Sequence, residues 1–158
     1  MQHRKIAALL LSFLLVVLLS PISAFAAPPE TGLESLVNEW RAERGASPLQ
    51  VDERLYTAAQ EVAGDGTYCP QDRMFIEFVI GGALYRSGYH DRRGYGLLLC
   101  GEYTSAEDVI NWIRERGGPS HPDLKDIGVV HLDGLDFVRS NGTHVSDIWV
   151  LLAAAPMD

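Results

Sequence analysis

Cysteine is scarce in this chain. Two residues, Cys69 and Cys100, occur in 158, with no Cys-x-x-Cys and no Cys/His spacing suited to a structural zinc site. That excludes zinc-finger modules and densely cross-linked mini-scaffolds. Basic residues are also in short supply: 13 Lys and Arg stand against 21 Asp and Glu, a net charge of −8. A surface of that sign repels phosphate backbones and anionic headgroups, so nucleic acid and anionic membrane surfaces are not expected partners. Internal repeats are absent. The one long apolar run, Ile6 to Leu19, falls short of the ~20 residues a membrane span needs.

That run belongs to a leader. Arg4 and Lys5 precede it, and Ala24-Phe25-Ala26 follows with the small-x-small pattern of a signal-peptidase site. Residues 1–26 are therefore expected to be a signal peptide, 27–32 a short Pro-containing leader and 33–158 a single domain. An uncleaved N-terminal anchor is the competing reading. Loss of Arg4 and Lys5 with the leader takes the net charge from −8 to −10. The expected product is exported to the extracellular space or cell envelope, without a stable membrane span, and monomeric. In an oxidising compartment the even cysteine pair most simply forms one disulfide, worth roughly 2–4 kcal/mol for a loop of this length. Asn141-Gly142-Thr143 also fits a glycosylation sequon.

Helical periodicity dominates the first two thirds. Leu33, Leu36, Val37 and Trp40 form one apolar stripe behind a Thr31/Glu34 capping box. Asp52 caps a second helix with Leu55, Ala58, Ala59 and Val62 inward, stopped at Gly64-Asp65-Gly66. Pro70 is expected to begin a third helix, carrying Met74, Phe75, Phe78 and Val79 and ending near Gly88. Residues 89–99 read as irregular, with the apolar Leu97-Leu98-Leu99 as a buried extended segment or one wall of a lipid groove. A fourth helix is expected from Thr104, with Glu107 completing its box and Val109, Ile110, Trp112 and Ile113 buried; Gly117-Gly118-Pro119 ends it. The last third turns β-rich. Residues 126–132 and 148–155 read as strands, the second apolar on both faces and hence central, with turns at Asp133-Gly134 and Asn141-Gly142. Helices first and hairpin strands last define an α+β class.

One stretch concentrates chemistry. Glu102 stands before the fourth helix, Glu115 at its end and His121 in the Pro/Gly loop beyond. Carboxylates and an imidazole so arranged can share a proton or a metal ion. The bland alternative is that Glu102 hydrogen-bonds loop backbone and His121 is an ordinary loop residue, while His131 and His144 are strand or turn residues. Ser120 beside His121 lacks the surroundings of a catalytic serine.

Residues 36–63, LVNEWRAERGASPLQVDERLYTAAQEVA, resemble the opening of the CAP superfamily, the cysteine-rich secretory, antigen 5 and pathogenesis-related proteins. Asn38, Arg41, Gly45, Leu49, Leu55 and Ala59 fall on its pattern. Gly101-Glu102 is similar to the family's Gly-Glu-Asn element. Trp112 to His121 followed by Asp126-Ile127-Gly128-Val129 is similar to its tryptophan helix, Gly-His loop and first strand. The resemblance implies an α-β-α sandwich with a small antiparallel sheet, and a cleft lined in many members by two His and two Glu. Carried over by position, these are Glu102, Glu115, His121 and, 12 positions before Glu102, His90; other bacterial members place that histidine earlier, where Tyr68 and Cys69 stand here. Tyr103 replaces the Asn of Gly-Glu-Asn, and Pro122 the basic residue usual after the histidine. The resemblance leaves three readings open. The favoured one is a non-enzymatic secreted module that binds a lipid, a peptide or an envelope ligand. The alternatives are a hydrolase holding a divalent ion such as zinc through His121, Glu102 and His90, with Glu115 as base, and a degenerate structural member.

Overall fold

The structure, a computed structural model, describes residues 31–65, 69–70 and 72–157. The signal-peptide reading of residues 1–26, most of the short leader, and the Gly66 and Tyr68 positions lie outside the described residues.

Among the described residues there are four helices: α1 (Leu33–Ala42), α2 (Glu53–Asp65), α3 (Arg73–Arg86) and α4 (Ala106–Arg116). The expected Thr31/Glu34 pairing forms, with the Thr31 amide and hydroxyl donating to Glu34 Oε2 at 3.2 and 2.8 Å. Asp52 caps α2 through Oδ1, which accepts from the Arg54 and Leu55 amides at 2.9 and 3.4 Å. Burial alone would raise the Asp52 carboxyl, but hydrogen bonds and charge from Arg54 leave it below its ordinary value. Two helix starts differ from expectation. The third helix begins at Arg73 rather than Pro70, because the Asp72 carboxylate takes the Phe75 amide at 3.1 Å. The fourth is boxed one residue later than Thr104/Glu107: Ser105 Oγ accepts from the Asp108 amide and Asp108 Oδ2 from the Ser105 amide. Gly88, at φ +74°, continues the chain past α3, with the Tyr89 amide donating back to the Leu84 carbonyl at 3.1 Å.

The main sheet runs β1 (Gln50–Val51), β3 (Asp126–Leu132), β6 (Asp147–Pro156), β2 (Asp91–Gly101). Strand β6 is the expected central strand, buried along nearly its whole length, and pairs antiparallel with both β3 and β2. The short β1 pairs parallel to β3, so the sheet is mixed where the resemblance implied an antiparallel one. Asn38 places it: its side chain donates to the Leu49 carbonyl at 3.0 Å and accepts from the Leu49 amide at 2.7 Å. A small hairpin, β4 (Phe137–Val138) and β5 (His144–Val145), spans the Asn141-Gly142 turn. The largest correction concerns the segment read as irregular. It is the edge strand β2, in register with β6 from Arg93↔Ala155 to Gly101↔Asp147. Its period of two is masked because layers cover both faces and glycines occupy Gly94 and Gly96.

Helices α1 and α4 pack on one face of the sheet against Leu97, Leu99, Val129, Leu151 and Ala153. Helices α2 and α3 cover the other, against Leu98, Val130, Val150, Leu152 and Ala154. The result is the α-β-α sandwich. The Cys69–Cys100 disulfide forms and ties the segment before α3 to the end of β2.

Among the described glycines, Gly128 has the least room, where β3 runs against the backbone of α2. A Cβ at Gly128 would lie 2.3 Å from the Leu55 carbonyl carbon and 2.4 Å from the Tyr56 nitrogen. Backbone cannot yield as a side-chain tip can. Gly128→Ala is therefore expected to lower stability by about 2–3 kcal/mol or more. Gly81→Ala, in an exposed helix interior with open space around it, should raise it by up to about 1 kcal/mol. Thermal or denaturant unfolding of the two variants reads both signs.

Candidate functional site

The loop from α4 to β3 carries His121, and a buried guanidinium holds that loop. Arg41 is 0 % exposed. Its Nε donates to the Ser47 carbonyl at 2.8 Å, Nη1 to the carbonyls of Pro119 and His121 (the latter at 3.3 Å), and Nη2 to that of Leu124 at 3.4 Å. No carboxylate pairs with it among the described residues, and burial pushes its pKa below the ordinary arginine value. Backbone carbonyl dipoles thus stand in for a counter-ion. The position explains part of the family-like spacing: Asn38 and Arg41, one turn apart on α1, anchor Leu49 and the Pro119–Leu124 loop.

His121 itself is half-buried and engaged. Its Nδ1 faces the Asp123 amide at 3.2 Å and the Asp123 carboxylate at 3.8 Å. Its Nε2 meets the Arg93 guanidinium. A cation already at Nε2 opposes a second one there, so a metal ion bound by this nitrogen must first displace Arg93.

Glu102 and Glu115 come together. Both line a shallow recess of about 300 Å³ with Tyr103, Asp108, Asn111, Trp112 and Arg116. Both are largely solvent-exposed, and Glu115 is paired with Arg116 at 3.1 Å. Arg116 also lies over the Trp112 ring, 5.3 Å from its centroid. His121 and His90 line neither this recess nor the neighbouring one. His90 sits on the surface at the start of β2, edge-on to Tyr85 with ring centroids 6.2 Å apart. Among the described residues no three His, Cys, Asp or Glu side chains converge as a metal-binding group.

The imidazole beside Glu102 is one that the sequence reading treated as an ordinary turn residue. His144 Nδ1 lies 3.5 Å from Glu102 Oε1 and its Nε2 3.1 Å from Asp136 Oδ1. The Glu102–His144 pair borders a second recess of about 450 Å³, formed with Cys100, Gly101, Tyr103 and Thr143. Carboxylates facing opposite ring nitrogens hold the imidazole between them; they do not make a chelate. The missed signal was topological, since β5 reaches β2 only once the β4–β5 hairpin has folded back. His131, similarly passed over, stacks on Trp149 at 3.9 Å and bonds the buried Asp147 at 2.7 Å. Tyr103, standing where an asparagine was implied, covers Gly101 with its ring, and its carbonyl accepts from Trp149 Nε1 at 2.7 Å.

A roomier concavity lies elsewhere. A groove of about 670 Å³ runs between α3 and the β2/β6 face, lined by Ile76, Ile80, Leu84, Gly96, Leu98 and Leu152, with Arg73, Glu77 and Asp91 among its polar residues.

A family model for the cysteine-rich secretory protein family matches residues 34–132. The fold is similar to that of a cysteine-rich secretory protein from Staphylococcus aureus (TM-score 0.56, 16% identity), over 78% of this chain and 37% of that one. This chain thus spans little more than a third of the staphylococcal protein. It is similar as well to an outer surface protein of Borrelia burgdorferi (TM-score 0.54, 19% identity), over 79% of this chain and 90% of that one. No curated protein matches the chain.

Replacing Arg41 by methionine would leave up to four loop carbonyls without their donor. The expected loss is about 3 kcal/mol or more. Arg41→Lys should recover only part of it, since an ammonium cannot span the same fork of carbonyls. Denaturant midpoints of the three proteins check this ranking.

Proposed function

The chain belongs to the cysteine-rich secretory protein family, and on that premise we propose that it is a secreted binding module of the cell envelope or extracellular space, acting without catalysis. The observation that carries this reading is the separation of its acid/His chemistry from the apolar groove under α3, which is roomier than either recess beside Glu102. The groove under α3 is spacious and lined in good part by aliphatic side chains. The residues of the implied acid/His cleft are shallow, solvent-exposed or individually engaged. Ligand-binding clefts of ~300–1,000 Å³ are ordinarily built as the groove is. The outer-surface designation of the Borrelia neighbour and the acidic composition agree with an exported protein.

A second reading is a metal-dependent hydrolase. One observation favours it: Glu102 and Glu115 share a recess. Zinc calorimetry separates the two. The binding reading expects equal, negligible heats from wild type and His121→Ala. Tight zinc binding by wild type that disappears in His121→Ala would overturn it in favour of the hydrolase.

A further inference from the structure

Strand β2 ends the sheet. It pairs with β6 on one side only. Among the described residues no other backbone group hydrogen-bonds to positions 91–99. Arg93, Gly94 and Gly96 are exposed along it. A free edge of this length is a template for another strand. Natural sheets usually blunt such edges with short strands, charge or covering loops. Here the charge sits at one end, while the middle is Gly94-Tyr95-Gly96-Leu97-Leu98.

The groove lies beside this edge. Helix α3 runs back over β2, so that Leu84 and Asp91 line one part of it and Ile80 stands over Gly96. A Cβ at Gly96 would come within 2.6 Å of Ile80 Cδ1, so glycine at this position is what lets the Ile80 side chain settle directly on β2 as one wall of the groove. Both ends of the α3–β2 unit are pinned. The Cys69–Cys100 disulfide holds one end and the Ser87–His90 turn holds the other. The groove is therefore pre-shaped and does not need to be opened by a ligand.

We propose that the free edge of β2 and the groove under α3 form one docking site for an extended peptide segment of another protein, which adds as a strand to β2 and seats alternate apolar side chains beneath α3. Strand addition of this type takes affinity from main-chain hydrogen bonds and specificity from pockets for every second side chain. The unpaired edge decides the occupant: an acyl chain fills the apolar groove yet leaves the β2 amides and carbonyls unmatched, whereas a peptide backbone satisfies both. Charge narrows it further. The Asp91 carboxylate lies over Gly94, with no ion-pair partner among the described residues, while Glu77 is already held by Arg73 at 2.8 Å. A basic residue on the peptide matches Asp91 and the acidic chain as a whole.

The inference rests on the binding reading above and deepens it. The test pans a display library of random linear decapeptides against the purified protein, then measures one selected peptide by calorimetry and hydrogen exchange. Selected sequences should alternate apolar and polar residues with a Lys or Arg toward one end. Amides of residues 93–99 should gain at least about tenfold protection. Methylating alternate peptide nitrogens should weaken binding about tenfold or more, through lost main-chain hydrogen bonds. Gly81→Phe fills the groove from a helical position with open space around it, and should abolish binding while the protein stays folded by circular dichroism. No enriched pattern, or binding indifferent to both N-methylation and Gly81→Phe, overturns the proposal. So does a 16-carbon fatty acid that occupies the groove while no peptide does, or a dimer built edge-to-edge through β2. None of these outcomes depends on zinc, so a failure here is distinct from a zinc site that removes the binding reading itself.

Discussion

One buried guanidinium organises this fold. Arg41 bonds Ser47 on one side and Pro119, His121 and Leu124 on the other. It thereby welds the end of α1 to the loop between α4 and β3, two segments nearly eighty residues apart in sequence. With carbonyls as its only partners among the described residues, the loop must keep its shape for the charge to stay satisfied. The position of His121 follows from that shape, as does the entry of β3 beside β1. Asn38, one turn earlier on α1, does the same for Leu49 with a pair of hydrogen bonds. The Asn-x-x-Arg spacing is therefore a pair of backbone clamps.

What could be read from the sequence was whatever rests on local periodicity. The stripes of α1, α2 and α4 are amphipathic, and each faces one layer. β6 is apolar throughout because it lies between two layers, and that too is visible in its residues. For two cysteines in an exported chain one disulfide is the simplest state, against two buried free thiols, and the disulfide forms. Long-range effects were hidden. In β2, coverage on both faces and two glycines erase the alternation that marks a strand. In β1, two exposed residues become a strand only because Asn38 and β3 receive them. In α3, the Asp72 carboxylate moves the start that Pro70 suggested. The candidate site was legible by half: Glu102 and Glu115 meet in one recess, while the imidazole beside Glu102 is His144, which arrives on a separate hairpin. Nothing in the local sequence of His144 announces that neighbour.

The sheet divides its two faces between different tasks. On the α1/α4 side, charge is bound up in short pairs: Arg93 with His121, Arg116 with Glu115. On the α2/α3 side, a helix rich in apolar residues stands over an edge strand rich in glycine, and space remains between them. Met74, Phe78 and Tyr85 on the outer surface of α3 are each more than 70 % exposed. That helix is held by α2, a disulfide and a tight turn more than by contact with the strand beneath. A cross-linked support beside an unpaired edge suits recognition, because little ordering entropy is left to be lost on binding.

The clamp on the His121 loop is the central claim, and native-state hydrogen exchange of wild type and Arg41→Met tests it most directly. The Ser120 amide donates to the Gly118 carbonyl at 2.7 Å and the Leu124 amide to the His121 carbonyl at 3.3 Å. The account predicts that both amides lose protection in the variant under conditions where those of β6 keep theirs. Unchanged exchange at Ser120 and Leu124, or loss spread evenly over the loop and β6, would contradict it.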